Sequence, residues 1–231
     1  MNVRELAVPG AFELVPKQFG DERGVFLEWY RFEELTDAVG HPLRLAQANC
    51  SVSAKGVVRG IHYADVPPSQ AKYVTCARGA IVDFIVDIRV GSPTFGRWDA
   101  VRLDDQQRGA VYLSEGLGHA FVALEDDTTV MYLCSEVYSP TREHGINPLD
   151  PAIGLDFQQY LGPDDQLILS PKDTDAPNLA DAQAAAALPT WEACQAFYAS
   201  LRGSGESGAG GAGGTAGEVG AGAQNAGGAG A

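Results

Sequence analysis

Between Tyr73 and Glu136 the sequence breaks into short apolar runs, each followed by a turn signal. Tyr73 to Ala77, then Arg78-Gly79, then Ala80 to Arg89 reads as a β-hairpin. The second of these runs is almost wholly apolar, interrupted by Asp83 and Asp87, as expected of a strand buried on both faces. Ala110 to Leu113, Ala120 to Leu124 and Thr129 to Glu136 are further strand candidates. Gly91-Ser-Pro93, Asp104-Asp105, Glu125 to Thr128 and Ser139-Pro140 supply the turns. Short strands at this spacing predict an antiparallel sandwich or barrel, not a series of βαβ units.

Helices are few. Phe32 to Val39 predicts one short helix. Thr190 reads as the N-cap of another, with Trp191, Cys194, Phe197, Tyr198 and Leu201 on one face, packed on the outside of the barrel. From Gly203 to Ala231 the chain is almost entirely Gly and Ala, too poor in apolar side chains to offset its ordering entropy. The expected organisation is one all-β-dominated domain over residues 1–202 and a disordered tail over 203–231. The net charge of −14 and the lack of basic patches argue against nucleic-acid binding. No run reaches the roughly 20 apolar residues of a membrane span, and the N-terminus has no apolar signal core, so a cytoplasmic location is expected. Cys50, Cys76, Cys134 and Cys194 form no CxxC pair and read as free buried thiols. His41 and His144 lie in no motif and read as surface residues.

Chemistry concentrates in Gly56-Val-Val-Arg59-Gly60-Ile-His62-Tyr63, followed by Gln70-Ala-Lys72-Tyr73. An imidazole and two cations on strand-like sequence are unusual in so acidic a chain, and the glycines allow close backbone approach to a ligand. The stretch half-matches the metal-binding signature of cupin barrels. Gly56 and His62 fit, but Ala64 replaces the second His, no Glu follows, and Gly116-Leu-Gly-His119 keeps only the His of the second motif. Two His are too few for a catalytic metal site with three protein ligands, so the sequence reads as a cupin barrel without its metal.

Further motifs follow in order: Arg23-Gly24-x-Phe26, Gln47-x-Asn49-x-Ser51, Gly91-Ser-Pro-Thr-Phe-Gly-Arg-Trp98, Gly118-His-Ala-Phe121, Met131-Tyr132 and Ser170-Pro-Lys-Asp173. With those above, they resemble the dTDP-4-dehydrorhamnose 3,5-epimerase family over roughly Met1 to Arg202. The resemblance implies a metal-free, cofactor-free, cupin-type jelly roll that forms homodimers and acts on a dTDP-linked 4-keto-6-deoxy sugar. It implies that His62 is the base, Asp173 its orienting carboxylate, Tyr132 the opposite-face acid and Lys72 the cation at the C4 oxygen. His is suited to this because its proton exchanges near neutral pH. Arg23 and Arg59 would hold the diphosphate. Glu28, Gln47, Asn49, His119, Glu143 and Lys172 would contact nucleotide or sugar, and Tyr138 would stack on thymine. Arg23, Phe26 and Glu28 would reach in from the partner subunit.

Each residue has a plainer reading when taken singly. His62 reads equally as a core histidine satisfied by a carbonyl, Tyr132 as an ordinary strand residue, and Lys72 and Arg59 as solvated charges. Asp173 reads as a loop residue, and Glu143 as a local partner of Arg142. Three other functions compete: an epimerase inverting only C3 or only C5, a non-catalytic sugar-nucleotide-binding cupin, and a metal cupin.

Overall fold

The computed structural model describes residues 1–206. In chain order the strands are β1 (Asn2–Glu5), β2 (Ala11–Val15), β3 (Gln18–Asp21), β4 (Gly24–Leu27), β5 (Gln47–Ser53), β6 (Val58–Ala64), β7 (Lys72–Arg78), β8 (Ala80–Val86), β9 (Trp98–Asp104), β10 (Ala110–Leu113), β11 (Gly118–Ala123), β12 (Thr128–Cys134) and β13 (Glu143–Gly145). The helices are α1 (Phe32–Val39), α2 (Pro171–Thr174), α3 (Leu179–Ala184) and α4 (Trp191–Glu206).

The strands form a six-stranded sheet in the order β1-β2-β10-β7-β12-β5 and a five-stranded sheet in the order β13-β6-β11-β8-β9, with β3 and β4 as a separate hairpin. All pairings between named strands are antiparallel. Because β1, β5, β13 and β9 remain edges, the two sheets stack as a sandwich and do not close into a barrel.

Strand alternation sorts side chains into three layers. Val74, Cys76, Val111, Leu113 and Val130 of the first sheet meet Ile81, Ile85, Val101, Leu103 and Phe121 of the second between the sheets. Val82, Phe84 and Val86 on the opposite face of β8 pack under the later segment carrying Ile146, Ile153, Phe157 and Leu179. Every residue of β8 is therefore buried, as its continuous apolar sequence predicts. On the outer face of the first sheet, Tyr73, Tyr112 and Leu133 pack with Leu35 of α1.

The hairpin expected at Arg78-Gly79 does not form. Strand β7 is flanked by β10 and β12, and β8 by β11 and β9, so neither has a free edge for the other. The chain instead crosses between sheets at Gly79, whose amide donates to Asp105 Oδ2 at 2.8 Å. Helix α1 forms where expected, as does α4, which Thr190 Oγ1 caps by accepting from the Ala193 amide at 3.1 Å. Cys194 and Tyr198 of α4 are buried. The last turn of α4 occupies residues that the sequence assigns to the tail, and the remainder of that tail lies outside the described residues.

Three further expectations change. His41 is buried, not at the surface. His144 is half-buried, with Nε2 2.8 Å from Asp65 Oδ1. Cys76, Cys134 and Cys194 are buried, but Cys50 is exposed because it alternates with Asn49 and Ser51 on the edge strand β5.

One irregularity shapes the site. His62 pairs with His119 and Arg59 with Phe121, so β6 carries one residue more than β11 over this stretch. The extra residue turns Val58, Ile61 and Tyr63 outward and brings Arg59 and His62 to the inner face together. Gly60, at φ +119, sits where a Cβ would lie 2.4 Å from the His119 carbonyl oxygen and 2.6 Å from Ala120 Cα. Gly60→Ala should therefore destabilise the fold by about 3 kcal/mol or more, measured by urea denaturation.

Candidate active site

The inner-face positions turn polar toward one end of the sandwich. The first sheet contributes Lys72 at the start of β7, Tyr132 and Cys134 at the end of β12, and Gln47 and Asn49 at the start of β5. The second contributes Arg59 and His62 from β6, Asp83 from β8 and His119 from β11. Antiparallel pairing makes the start of one strand and the end of its neighbour coincide, so sequence-distant residues meet. A cleft at this end is lined by His62, Gln70, Lys72, Leu113, Leu117 and Glu143.

His62 Nε2 lies 2.7 Å from Asp173 Oδ1. Burial raises the Asp173 carboxyl, but hydrogen bonds from His62 and Ser170 and the charges of His62 and Lys172 outweigh it, leaving it below its ordinary value of 3.8. Burial raises the Tyr132 phenol, assisted by Cys134 and Glu143 and opposed by Arg59 and Asn49, so the group stays protonated at neutral pH. Burial lowers the Lys72 ammonium against the pull of Cys134, Glu143 and Asp83.

The remaining expected residues divide into two groups. Gln47 donates to Asn49 Oδ1 at 2.8 Å and accepts from the Tyr138 amide at 2.9 Å, which ties Tyr138 to the β5 end of the site. Arg59 Nε donates to Ser53 Oγ at 3.2 Å. Glu143 accepts from the Ser139 amide at 3.2 Å, in place of the local pairing with Arg142. Lys172 is exposed beside Asp173. Arg23, Phe26 and Glu28, by contrast, do not line the His62 cleft. Arg23 and Phe26 lie on the exposed β3–β4 hairpin, where Arg23 pairs with Asp21, and Glu28 follows it. Among the described residues, no three His, Cys, Asp or Glu side chains converge as a metal site would require.

This polar end, built on a two-sheet sandwich, can be set against known proteins. The model of the dTDP-4-dehydrorhamnose 3,5-epimerase family matches residues 5–181. The chain belongs to that family. A dTDP-4-dehydrorhamnose 3,5-epimerase of Mycolicibacterium smegmatis is 57% identical over 202 residues, covering 87% of this chain and 98% of that protein. A dTDP-4-dehydrorhamnose 3-epimerase of Streptomyces niveus is 55% identical over 196 residues, covering 85% and 92%. The solved structure of the Mycobacterium tuberculosis rmlC epimerase superposes with a TM-score of 0.85 at 51% identity, covering 87% of this chain and 100% of that one.

Sequence reasoning did not single out Asp83 as the partner of His119. Asp83 is fully buried, and its Oδ2 lies 2.7 Å from His119 Nε2. The signal was present: a carboxylate inside a strand buried on both faces needs a partner. Asp87, the other interruption in that run, has a different role. It accepts from Arg89, Ser92 and Thr94 and so holds the Gly91–Trp98 loop, making that motif structural.

The lowered Asp173 carboxyl gives a stability signature. A group depressed in the folded state stabilises above its unfolded pKa and loses that contribution as pH falls through the folded value. The stability gap between wild type and Asp173→Asn, from urea denaturation, should be widest above about pH 5 and close toward about pH 2.

Proposed function

We infer that the protein inverts C3 and C5 of dTDP-4-keto-6-deoxyglucose by removing and returning a proton on the carbons beside the C4 ketone. The observation that carries this reading is the pairing of His62 on one sheet with Asp173 of α2, a protonated Tyr132 on the other sheet, and Lys72 lining the His62 cleft. A sugar held between the sheets would meet a base on one side and an acid on the other, which inversion requires.

His62 takes the proton while Asp173 fixes its orientation and balances the imidazolium. The electron pair of the broken C–H bond moves into the ketone, and Lys72 stabilises the resulting enolate oxygen. Tyr132 then delivers its phenolic proton to the opposite face. Solvent restores both groups, so the reaction needs neither cofactor nor metal. Arg59 and Arg23 hold the diphosphate, Gln47, Asn49, His119, Glu143 and Lys172 contact nucleotide or sugar, and Tyr138 stacks on the base. A cytoplasmic location accords with a nucleotide-linked substrate.

A second reading, inversion at C3 alone, is favoured by one finding: the Streptomyces niveus relative named as a 3-epimerase is almost as similar as the 3,5-epimerase. Incubation with the substrate in D₂O, followed by NMR, separates the two. Label at both carbons with inverted product supports 3,5-epimerisation, label at one carbon supports a single-centre enzyme, and no label overturns both. His62→Ala and Tyr132→Phe should each lose about 10²- to 10⁴-fold in turnover while still binding dTDP by calorimetry.

We also propose a homodimer with shared sites. Phe19, Val25 and Phe26 on the hairpin, with Val52 and Met131 on neighbouring β5 and β12, are large apolar side chains left exposed. Arg23 and Phe26 on the hairpin and Glu28 just after it are exposed and would enter a partner's cleft. Mixing His62→Ala and Arg23→Ala chains, each impaired alone, should restore about a quarter of wild-type activity, since half the dimers would carry one intact site in two. Absence of recovery after verified subunit exchange would place Arg23 outside the shared site.

A further inference from the structure

The Ser170-Pro-Lys-Asp173 motif contributes Asp173 to the site, but the fold gives its first residue a task of its own. Asp173 has two carboxylate oxygens. Oδ1 faces His62 Nε2 at 2.7 Å, and Oδ2 accepts from Ser170 Oγ at 2.8 Å. The same Ser170 Oγ accepts from the Asp173 amide at 3.2 Å. One hydroxyl therefore holds both the backbone and the far oxygen of the carboxylate, using its single proton and a lone pair on one residue. With Oδ2 held, rotation about the Cβ–Cγ bond is blocked, and Oδ1 stays directed at the imidazole.

The turn that carries this arrangement is itself registered to the strand bearing His62. Pro171 occupies the first helical position, where its fixed φ suits the turn and no amide is lost. Just upstream, the Val58 amide donates to the Ile168 carbonyl and the Ile168 amide to the Gly56 carbonyl, both at 2.9 Å. Just downstream, Asn147 Nδ2 donates to the Thr174 carbonyl at 3.0 Å. The start of β6 and the segment after β13 thus clamp α2 from both sides, leaving the carboxylate torsion as the freedom that Ser170 removes.

We propose that Ser170 is a positioning residue for proton transfer at His62, acting through Asp173 by fixing which carboxylate oxygen faces the imidazole. The inference rests on His62 acting as the base, as set out above. It gives the Ser170 hydroxyl a task beyond starting a helix, since its proton goes to the carboxylate and not to the backbone. A plain N-cap role predicts otherwise, because glycine serves nearly as well as serine at a cap.

That difference supplies the test. Ser170→Gly keeps a tolerable cap and removes the donor, whereas Ser170→Thr keeps both. Ser170→Gly should lower kcat by roughly ten- to a hundredfold, the effect of one hydrogen bond to a charged group, with KM little changed. The Asp173 titration should move to higher pH, because losing a bond that favours the carboxylate raises its pKa. Ser170→Thr should restore both rate and titration. A ¹³C-carboxylate NMR titration of Asp173 reads that shift without substrate, and so remains informative if the wild type proves not to be an epimerase. Full activity in Ser170→Gly, or lost activity with an unmoved Asp173 titration and no rescue by threonine, would overturn the proposal.

Discussion

The contact between the two inner sheet faces is the interaction on which the rest of the structure depends. Val74, Val111 and Val130 on one side meet Ile81, Ile85 and Phe121 on the other. Fully burying a side chain of this size contributes about 1.5–3 kcal/mol, whereas an exposed ion pair such as Arg78–Asp127 contributes roughly 0–1 kcal/mol. Apolar burial therefore sets the spacing of the sheets, and that spacing sets the distance between His62 on one sheet and Tyr132 on the other. The polar cleft is the continuation of the core, with the same inward positions changing from valine and isoleucine to histidine, lysine and tyrosine.

Charge inside this core is tolerated where it is paired, and the two buried aspartates of β8 and its extension show two uses. Asp87 is saturated by Arg89, Ser92 and Thr94, which locks a loop. Asp83 meets His119 through one oxygen, while its other oxygen has no protein partner among the described residues. The first arrangement is closed on itself; the second spends one oxygen on the His119 imidazole. Identical residues four positions apart in sequence thus hold a loop and a histidine, and their surroundings alone distinguish them.

Much of this was legible in the sequence because the relevant signals are local. The apolar runs marked strands, continuous burial marked β8, and Thr190 marked the start of α4. The residues proposed to react were singled out only through ordered motifs, since His62, Lys72, Tyr132 and Asp173 stand in no recognisable spacing to one another. What escaped was set by pairing. The β6 bulge that aligns Arg59 with His62 exists only against β11, and the absence of a hairpin at Gly79 reflects edges already taken by distant strands. His41 was misplaced because burial there comes from packing that no periodicity in its own segment announces. The exposure of Cys50 follows from β5 being an edge strand, a property of sheet order and not of composition.

The crossing at Gly79 also bears on how the chain reaches this structure. Where a hairpin would have offered a local contact with little loop to close, β7 must find β10 and β12, and β5 must find β12, with Ser53 opposite Thr128. Loop-closure entropy precedes the reward of such pairings, so folding of the first sheet is governed by long-range encounters and is slow for its size. During synthesis β5 emerges well before β12, and its backbone hydrogen-bonding groups remain unpaired until residues near Cys134 have been added. The nascent chain thus passes through a stage in which an edge strand awaits its neighbour, when premature association is most favoured.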